Sequence, residues 1–187
     1  MVIHDLPCLI ATPSLATPGR DAVGFSPLAA GLSMRIDYRR NELTLAHTLP
    51  ESRDEVELPL WFYRLATVRG AVDADRAGRF IVDTGAAAIS IASHSAAEAS
   101  VRPGTRRIPL SVFGLSGRDR DACLLLGADL AIGPIALQRI PLVVLDLRTP
   151  GERLGYRVRG IVGQQFLRRY RVSIDLQRGV LGLSKGG

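Results

Sequence analysis

The sequence predicts an all-β protein. Short apolar or alternating runs recur beyond residue 56, and glycine, proline and aspartate separate them. Segments with helical composition are few and only about two turns long. At 187 residues and 47% hydrophobic content, the chain can bury a core without metal or disulfide support. Together these observations favour a sheet or barrel.

The N-terminal part of the chain has its own pattern. After a lead rich in Pro, Ala and Thr, alternation predicts strands over residues 32–38 and 43–45, joined by a polar turn. A polar linker follows at residues 49–54. We therefore divide the chain into an extension, residues 1–53, and a domain, residues 54–187.

The domain is predicted to contain nine strands and one short C-terminal helix. The helical composition of residues 164–170 predicts this helix, and residues 93–99 are a weaker helical segment. Strands are expected at residues 58–63, 66–72, 80–82, 89–92, 108–113, 123–126, 140–145, 171–176 and 180–183.

Two predicted hairpins resemble each other. Residues 32–45 align with residues 170–183 at a constant offset, and each copy carries an Ile-Asp pair, ending in Asp37 and in Asp175. Any two hairpins with alternating faces look alike, but the shared pair favours a duplication. Because its apolar face must be buried, we expect the segment 32–45 to pair with the domain's sheet or with a partner chain.

The sequence does not predict a nucleic-acid partner, although its composition is basic. Lys and Arg number 24 against 18 Asp and Glu, and Lys185 is the only lysine. Five arginines cluster between residues 157 and 171, but no phosphate-binding loop, aromatic platform or recognition helix accompanies them. We expect them to form a solvated basic face: Arg157, Arg159, Arg168, Arg169 and Arg171.

No cofactor, metal or transmembrane segment is expected. Cys8 and Cys123 stand far apart, and no Cys-x-x-Cys or His-Glu-x-x-His motif is present. The longest uncharged stretch near the start, residues 6–19, contains three prolines and is too short to span a bilayer. It also lacks the cationic region of a signal peptide, and the sequence does not choose between the cytoplasm and the periplasm.

The chemistry is best sought where the apolar strand 80–82 runs into Asp83-Thr84-Gly85-Ala86. Such a strand delivers a carboxylate from the core to a tight turn, where a glycine allows close backbone approach. An Asx turn between two strands would give the same local pattern. The motif by itself therefore leaves a structural and a catalytic interpretation open.

Two downstream features favour the catalytic interpretation. Residues 111–117 alternate and reach a glycine-containing tip, as a mobile hairpin would. Ile161, Val162 and Gly163 lead directly into the short helix, and a closing hairpin follows.

In this order, the motifs resemble the retropepsin-like aspartic proteases, and most closely their bacterial members, over residues 56–183. The resemblance implies that Asp83 is the catalytic carboxylate. It also implies that Thr84 hydrogen-bonds across a dimer axis and that Gly85 allows close substrate approach. One departure is Ala87, which stands where Ser or Asp often follows in the family.

The resemblance implies two further groups of site residues. A flap tip would cover the substrate, and a supporting loop would pack beneath Asp83. The flap residues would be Gly114, Leu115, Ser116 and Gly117, and the supporting residues Ala86, Ile161, Val162 and Gly163.

The implied function is that of an aspartic endopeptidase acting as a homodimer on a peptide or protein substrate. The chain has one Asp-Thr-Gly, whereas the reaction needs a base and an acid, so two copies of Asp83 must meet across a two-fold axis. If a monomer were active, Asp175 or Asp37 would be the next carboxylates to test. The alternatives are a non-cleaving binding or assembly module of this fold and one lobe of a larger two-lobed protein.

Overall fold

The structure, a computed structural model, describes residues 31–50, 54–63, 65–73, 77–95, 104–114 and 117–185. Strands make up most of these residues, so the predicted all-β class is confirmed. No helix within these ranges is long and apolar enough to cross a bilayer. The strands are β1 (Ser33–Asp37), β2 (Glu42–Ala46), β3 (Val56–Pro59), β4 (Trp61–Tyr63), β5 (Leu65–Val72), β6 (Gly78–Val82), β7 (Ser90–Ala92), β8 (Arg106–Pro109), β9 (Val112–Gly114), β10 (Gly117–Asp119), β11 (Cys123–Ile132), β12 (Ile135–Leu145), β13 (Val158–Val162), β14 (Arg171–Asp175) and β15 (Val180–Ser184). The helices with both ends in these ranges are α1 (Arg148–Leu154) and α2 (Gln164–Leu167), and residues 93–95 are also helical.

Six strands close into a barrel. Their order is β5-β6-β13-β7-β12-β11, and β11 pairs back onto β5 to complete the ring. The β6–β13 and β7–β12 pairs are parallel, whereas the other neighbours are antiparallel. β4 and β8 extend this sheet beyond the ring. The parallel β6–β13 pair matters most for the site, because both strands end at the same edge of the barrel.

A second sheet of five strands, ordered β2-β1-β14-β15-β3, packs against the barrel. β1 runs antiparallel to β14, with Met34 opposite Ile174 and Ile36 opposite Val172. The segment 32–45 therefore pairs with the domain's own sheet, one of the two arrangements expected. The division of the chain at residue 53 stays a prediction.

One apolar core joins the sheet to the barrel. Buried side chains from the five-stranded sheet, among them Met34, Val172 and Leu181, pack in the same cluster as Val68 and Phe80 of the barrel. A smaller cluster lies under α1 and includes Ile81, Leu154 and Val158. The strand that delivers Asp83 is thus packed on both faces.

Two of the predicted strands are each divided in two. The segment 58–63 breaks at Leu60, whose N–H donates to the carbonyl of Gly179 at 2.8 Å as the chain passes from one sheet to the other. The segment 108–113 breaks after Pro109, where Leu110 N–H bonds to the carbonyl of Ala122 at 3.1 Å. In both places a contact distant in sequence overrides the local alternation.

The prediction of a single short helix was incomplete, because α1 accompanies the predicted α2. α1 contains Pro150 and Gly151, which disfavour a helix on composition. Pro150 is tolerated because it lies in the first turn, where backbone N–H groups need no helical acceptor. Gly155 ends the helix in a left-handed conformation with φ of 72°.

Several predictions fall outside the described residues. These are the Pro-rich lead, the end of the segment 93–99, the centre of the linker 49–54, and Leu115 and Ser116 of the flap tip. Of the linker's described residues, Leu49 is buried, so this part is not a solvated connection.

Candidate active site

Asp83 lies at the end of β6, where the barrel edge opens. Its backbone N–H donates to the carbonyl of Val162 at 3.1 Å, which continues the parallel pairing of Ile81 with Ile161. The Asp83 side chain is half-buried. Because the parallel strands anchor it on one side, the position of its backbone is fixed by the barrel and not by the loop that follows.

The Asp83 turn holds one carboxylate oxygen in place. Gly85 N–H donates to Oδ1 at 2.8 Å, and Ala86 N–H donates to the Asp83 carbonyl at 3.3 Å. Within the described ranges, no basic or second acidic side chain hydrogen-bonds to this carboxylate. The turn therefore presents a carboxylate whose Oδ1 is held by a backbone donor.

Gly163 lets two backbone segments meet beneath the turn. A Cβ at this position would lie 2.3 Å from the carbonyl oxygen of Ala88 and 2.5 Å from that of Ala86. Real Cβ atoms do not approach backbone that closely, so only glycine fits without a shift. Ile161, Val162 and Gly163 thus lie against the Asp83 segment; their role as catalytic support stays a prediction.

Gln164, the first residue of α2, bonds to the turn twice. Its backbone N–H donates to the carbonyl of Ala86 at 2.7 Å. Its side-chain Nε2 donates to the carbonyl of Thr84 at 2.9 Å. These two bonds fix the orientation of the Thr84–Gly85 and Ala86–Ala87 peptide units.

Gln165 fixes the far end of the same loop. Its backbone N–H donates to the carbonyl of Ala87 at 3.1 Å, and its Oε1 accepts from the N–H of Ile89 at 3.0 Å. Its Nε2 reaches the carbonyl of Pro141 at 3.4 Å. The two amide side chains, which we call the glutamine clamp, therefore tie the Asp83 loop to α2 and to β12.

The sequence analysis did not single out the glutamine clamp. Amide side chains are common on helices, and their partners in the Asp83 loop lie 76 to 80 residues away in the chain. The one local signal was two consecutive glutamines directly after the glycine that ends β13.

The predicted flap segment forms a hairpin. β9 and β10 pair antiparallel, with Gly114 opposite Gly117. Leu115 and Ser116 fall outside the described residues. The assignment of this hairpin as a flap stays a prediction.

Asp37 and Asp175, the alternative catalytic carboxylates of an active monomer, each stabilise a hairpin turn. Oδ1 of Asp37 accepts the backbone N–H groups of the second and third residues that follow it, at 3.0 and 3.1 Å. Oδ1 of Asp175 does the same at 3.0 Å each. The shared Ile-Asp pair is therefore explained by turn formation.

Asp146 and Tyr156 have displaced pKa values. The Arg148 guanidinium hydrogen-bonds the exposed carboxylate of Asp146 and lowers the pKa of that carboxyl to about 2. Burial raises the pKa of Tyr156, and the nearby Arg79 partly opposes the rise. Arg79 lies 4.7 Å from the Tyr156 ring centroid and 5.8 Å from that of Trp61. Within the described ranges, no three His, Cys, Asp or Glu side chains group as a metal site would require.

The chain matches a family model described as Aspartyl protease over residues 66–166. This range runs from β5 to α2 and contains the Asp83 turn, the β9–β10 hairpin and the glutamine clamp. No curated protein matches the chain significantly.

Three solved structures are similar to this chain at low identity. EIAV protease complexed with the inhibitor HBY-793 is 14% identical, with a TM-score of 0.42, over 58% of this chain and 92% of that one. A retropepsin-like aspartic protease from Rickettsia conorii is 17% identical, with a TM-score of 0.40, over 68% and 87%. An aspartic proteinase from Irpex lacteus is 14% identical, with a TM-score of 0.46, over 89% and 62%. Since all three TM-scores lie below 0.5, the family match carries the assignment.

Proposed function

Because the chain belongs to the aspartyl protease family, as the sequence resemblance predicted, we propose that it is an endopeptidase with Asp83 as its catalytic carboxylate. The observation that supports this most directly is the Asp83 turn. Its carboxylate accepts the Gly85 N–H at 2.8 Å, and the first residue of α2 hydrogen-bonds to the same loop at the barrel edge.

The second carboxylate comes from a second copy of the chain. Hydrolysis without metal or covalent intermediate needs one group to accept a proton from water and another to donate one. A two-fold dimer supplies both from the same residue, and it closes without an open end that could polymerise. The absence of an acidic partner for Asp83 among the described residues is consistent with this arrangement.

The reaction follows from two carboxyl groups that share one proton. Two carboxylates about 3 Å apart cannot both be ionised. The ionised one takes a proton from the water between them as that water attacks the scissile carbonyl carbon. The protonated one donates to the carbonyl oxygen as the tetrahedral intermediate forms. Transfer of a proton to the amide nitrogen then breaks the C–N bond and releases the amine and the new carboxyl group.

The remaining predicted residues position the reactants. Thr84 bonds across the dimer axis, and Gly85 leaves room for the substrate backbone. Gly114, Leu115, Ser116 and Gly117 form the tip of a flap that closes over the peptide and excludes bulk water.

Cleavage of a degenerate peptide library, read by mass spectrometry, tests the activity. We expect cleavage that a pepstatin-like transition-state mimic inhibits. Asp83→Asn should lower the rate by at least about 10²–10⁴-fold, since it removes the acid–base group. The matched control is Asp121→Asn, at an exposed residue outside the site. An Asp83→Asn protein that cleaves as fast as the Asp121→Asn protein would refute the proposal.

A mixing experiment tests the shared site. At concentrations where dimers dominate, a threefold excess of Asp83→Asn chains should leave about one quarter of the wild-type chains in fully active dimers. The activity per wild-type chain should fall to about that fraction if mixed dimers are inactive. Activity unaffected by the excess would show that one chain holds a complete site.

A further inference from the structure

The two similar hairpins are paired with each other about a local two-fold axis. Arg35 of β1 lies opposite Ser173 of β14, and the sequence alignment makes these two residues equivalent. Met34 lies opposite Ile174, and their respective equivalents Val172 and Ile36 lie opposite each other. Exchanging the two hairpins therefore reproduces the same pairing, with the axis between Arg35 and Ser173.

The hairpins also match in their internal construction. The pairing of β1 with β2 has the same register as that of β14 with β15. The residue before the second strand is left-handed in both, with φ of 54° at Asn41 and 63° at Gly179. The outer edge of β14 is thus occupied by a copy of the hairpin to which β14 itself belongs.

The two halves of this symmetric sheet differ in what covers them. Leu181 of β15 packs in the core shared with the barrel and is fully buried. Its equivalent in β2, Leu43, is 55% exposed. The barrel therefore covers the β15 half of this two-fold sheet, whereas the equivalent position in the β2 half is exposed to solvent.

We propose that the β1–β2 hairpin holds, within one chain, the place that the β14–β15 hairpin of a second copy takes in the homodimer. This inference rests on the proposed dimeric protease. The argument for a second copy is complementarity: the edge of β14 already binds a near-duplicate of hairpin 171–184 in a symmetric register. A dimer built on this edge has the two-fold symmetry that two Asp83 groups require. Formation of the dimer then depends on release of the β1–β2 hairpin.

The β1–β2 hairpin is covalently linked to the chain that it binds, and this link favours it over the hairpin of a second copy. The hairpin is joined to β3 by the short connection of residues 47–55, which gives an effective concentration in the millimolar range. Formation of one dimer breaks two intrachain pairings and makes one interchain pairing, so at about 10 μM the dimer is disfavoured by at least about a hundredfold if both kinds of pairing are equally strong. The full chain should therefore be mainly monomeric at micromolar concentration, and its dimer fraction should rise with concentration.

A disulfide across the local axis tests this competition. Cα atoms of opposite residues in an antiparallel pair lie about 4.5–5.5 Å apart, a distance that a disulfide spans. The Nε of Arg35 reaches Oγ of Ser173 at 3.3 Å, so these side chains share a face of the sheet. In a chain with both native cysteines replaced by alanine, oxidised Arg35→Cys/Ser173→Cys should remain monomeric and inactive at every concentration. Reduction should restore the dimerisation and activity of the cysteine-free parent.

The single variant Ser173→Cys reports the exchanged state directly. Residue 173 faces its own copy across the axis only when the second chain has replaced the β1–β2 hairpin. Interchain disulfides should therefore form, increasingly with concentration, in the same cysteine-free background. The control Ser111→Cys, at an exposed residue, measures crosslinking by random collision. Crosslinking of Ser173→Cys no greater than that of the control at millimolar concentration would overturn the inference.

Leu43→Asp distinguishes two ways of forming a dimer. In exchange, a second copy replaces the β1–β2 hairpin; in docking, it binds to the outside of the intact hairpin. Under exchange, this exposed position leaves the dimer interface, so the variant should dimerise at least as well as the wild type. Loss of dimerisation in Leu43→Asp, or a dimer formed by the oxidised double variant, would overturn the inference. Crosslinked Ser173→Cys dimers that cleave no peptide would instead contradict the proposed protease activity and leave the exchange standing.

Discussion

Replacing Gln165 by alanine should loosen the Asp83 loop and lower the stability of the whole fold. The side chain accepts the N–H of Ile89, whose own side chain is fully buried. It also donates to the carbonyl of Pro141 at 3.4 Å. Alanine removes both bonds and leaves the Ile89 N–H without its acceptor.

The structure sets the size of this effect. An amide left without its partner in a partly buried place costs about 1–3 kcal/mol, and the longer bond to Pro141 adds about 0.5 kcal/mol at most. A loss of about 2 kcal/mol in the free energy of unfolding lowers the Tm of a protein of this size by about 4–8 °C. Gln165→Glu should lose less, because a carboxylate still accepts the N–H of Ile89.

Thermal unfolding and amide hydrogen exchange check this prediction. Gln165→Ala should show a lower Tm, faster exchange at Ile89 and a reduced rate of peptide cleavage. The matched control is Gln138→Ala, at an exposed position of β12, which should leave all three unchanged. An unchanged Tm together with unchanged protection of Ile89 would refute the role given to the glutamine clamp.

Three further predictions concern other parts of the fold. Gly163→Ala should lower the free energy of unfolding by about 1–3 kcal/mol and reduce the rate of peptide cleavage, because the alanine Cβ would collide with two backbone carbonyls. A variant with the wild-type stability and cleavage rate would contradict this. Arg148→Ala should raise the pKa of Asp146 from about 2 towards 3.8, as followed by carboxyl NMR. The lowered pKa adds stability above about pH 4, and this stability is lost as the pH falls towards 2. The stability of the variant should therefore depend less on pH in that window. An unchanged Asp146 titration would count against the ion pair. Arg79→Met should change the fluorescence of Trp61, the only tryptophan, since the guanidinium lies over its ring; identical emission spectra would exclude that contact in solution.

The Asp83 turn could be predicted from sequence because its determinants are local. A run of apolar residues ends directly at the aspartate, and the glycine two positions later marks the turn. The bond from Gly85 N–H to Asp83 Oδ1 is formed within that same stretch. What surrounds the turn is not local: the glutamine clamp and the close approach at Gly163 depend on segments about 80 residues apart. No periodicity in the sequence encodes which carbonyl a glutamine will reach.

The sequence predicts the strands best where apolar residues alternate with small or polar ones. β14 and β15 show this alternation in sequence, and their predicted ends lie within one residue of the observed ones, although residues on both of their faces are buried. β11 and β12 are longer than predicted, because pairing with each other extends both strands to the turn at Gly133. Around that turn the apolar residues stand between Gly127, Gly133 and Pro134, which disfavour strands, and the ladder supplies the missing stabilisation.

The duplicated hairpin shows most clearly what sequence and geometry each contribute. Similar residues at corresponding positions indicate that the two segments adopt the same hairpin, and the structure explains the shared aspartates as turn formers. Sequence similarity cannot indicate that the copies pair, since two equal hairpins could equally lie on separate edges. Once they pair in a symmetric register, the edge of β14 can be filled from within the chain or by another chain, and never by both. Because each chain carries one Asp83, a complete site requires a second chain. That chain can bind at the β14 edge only after the β1–β2 hairpin has left it.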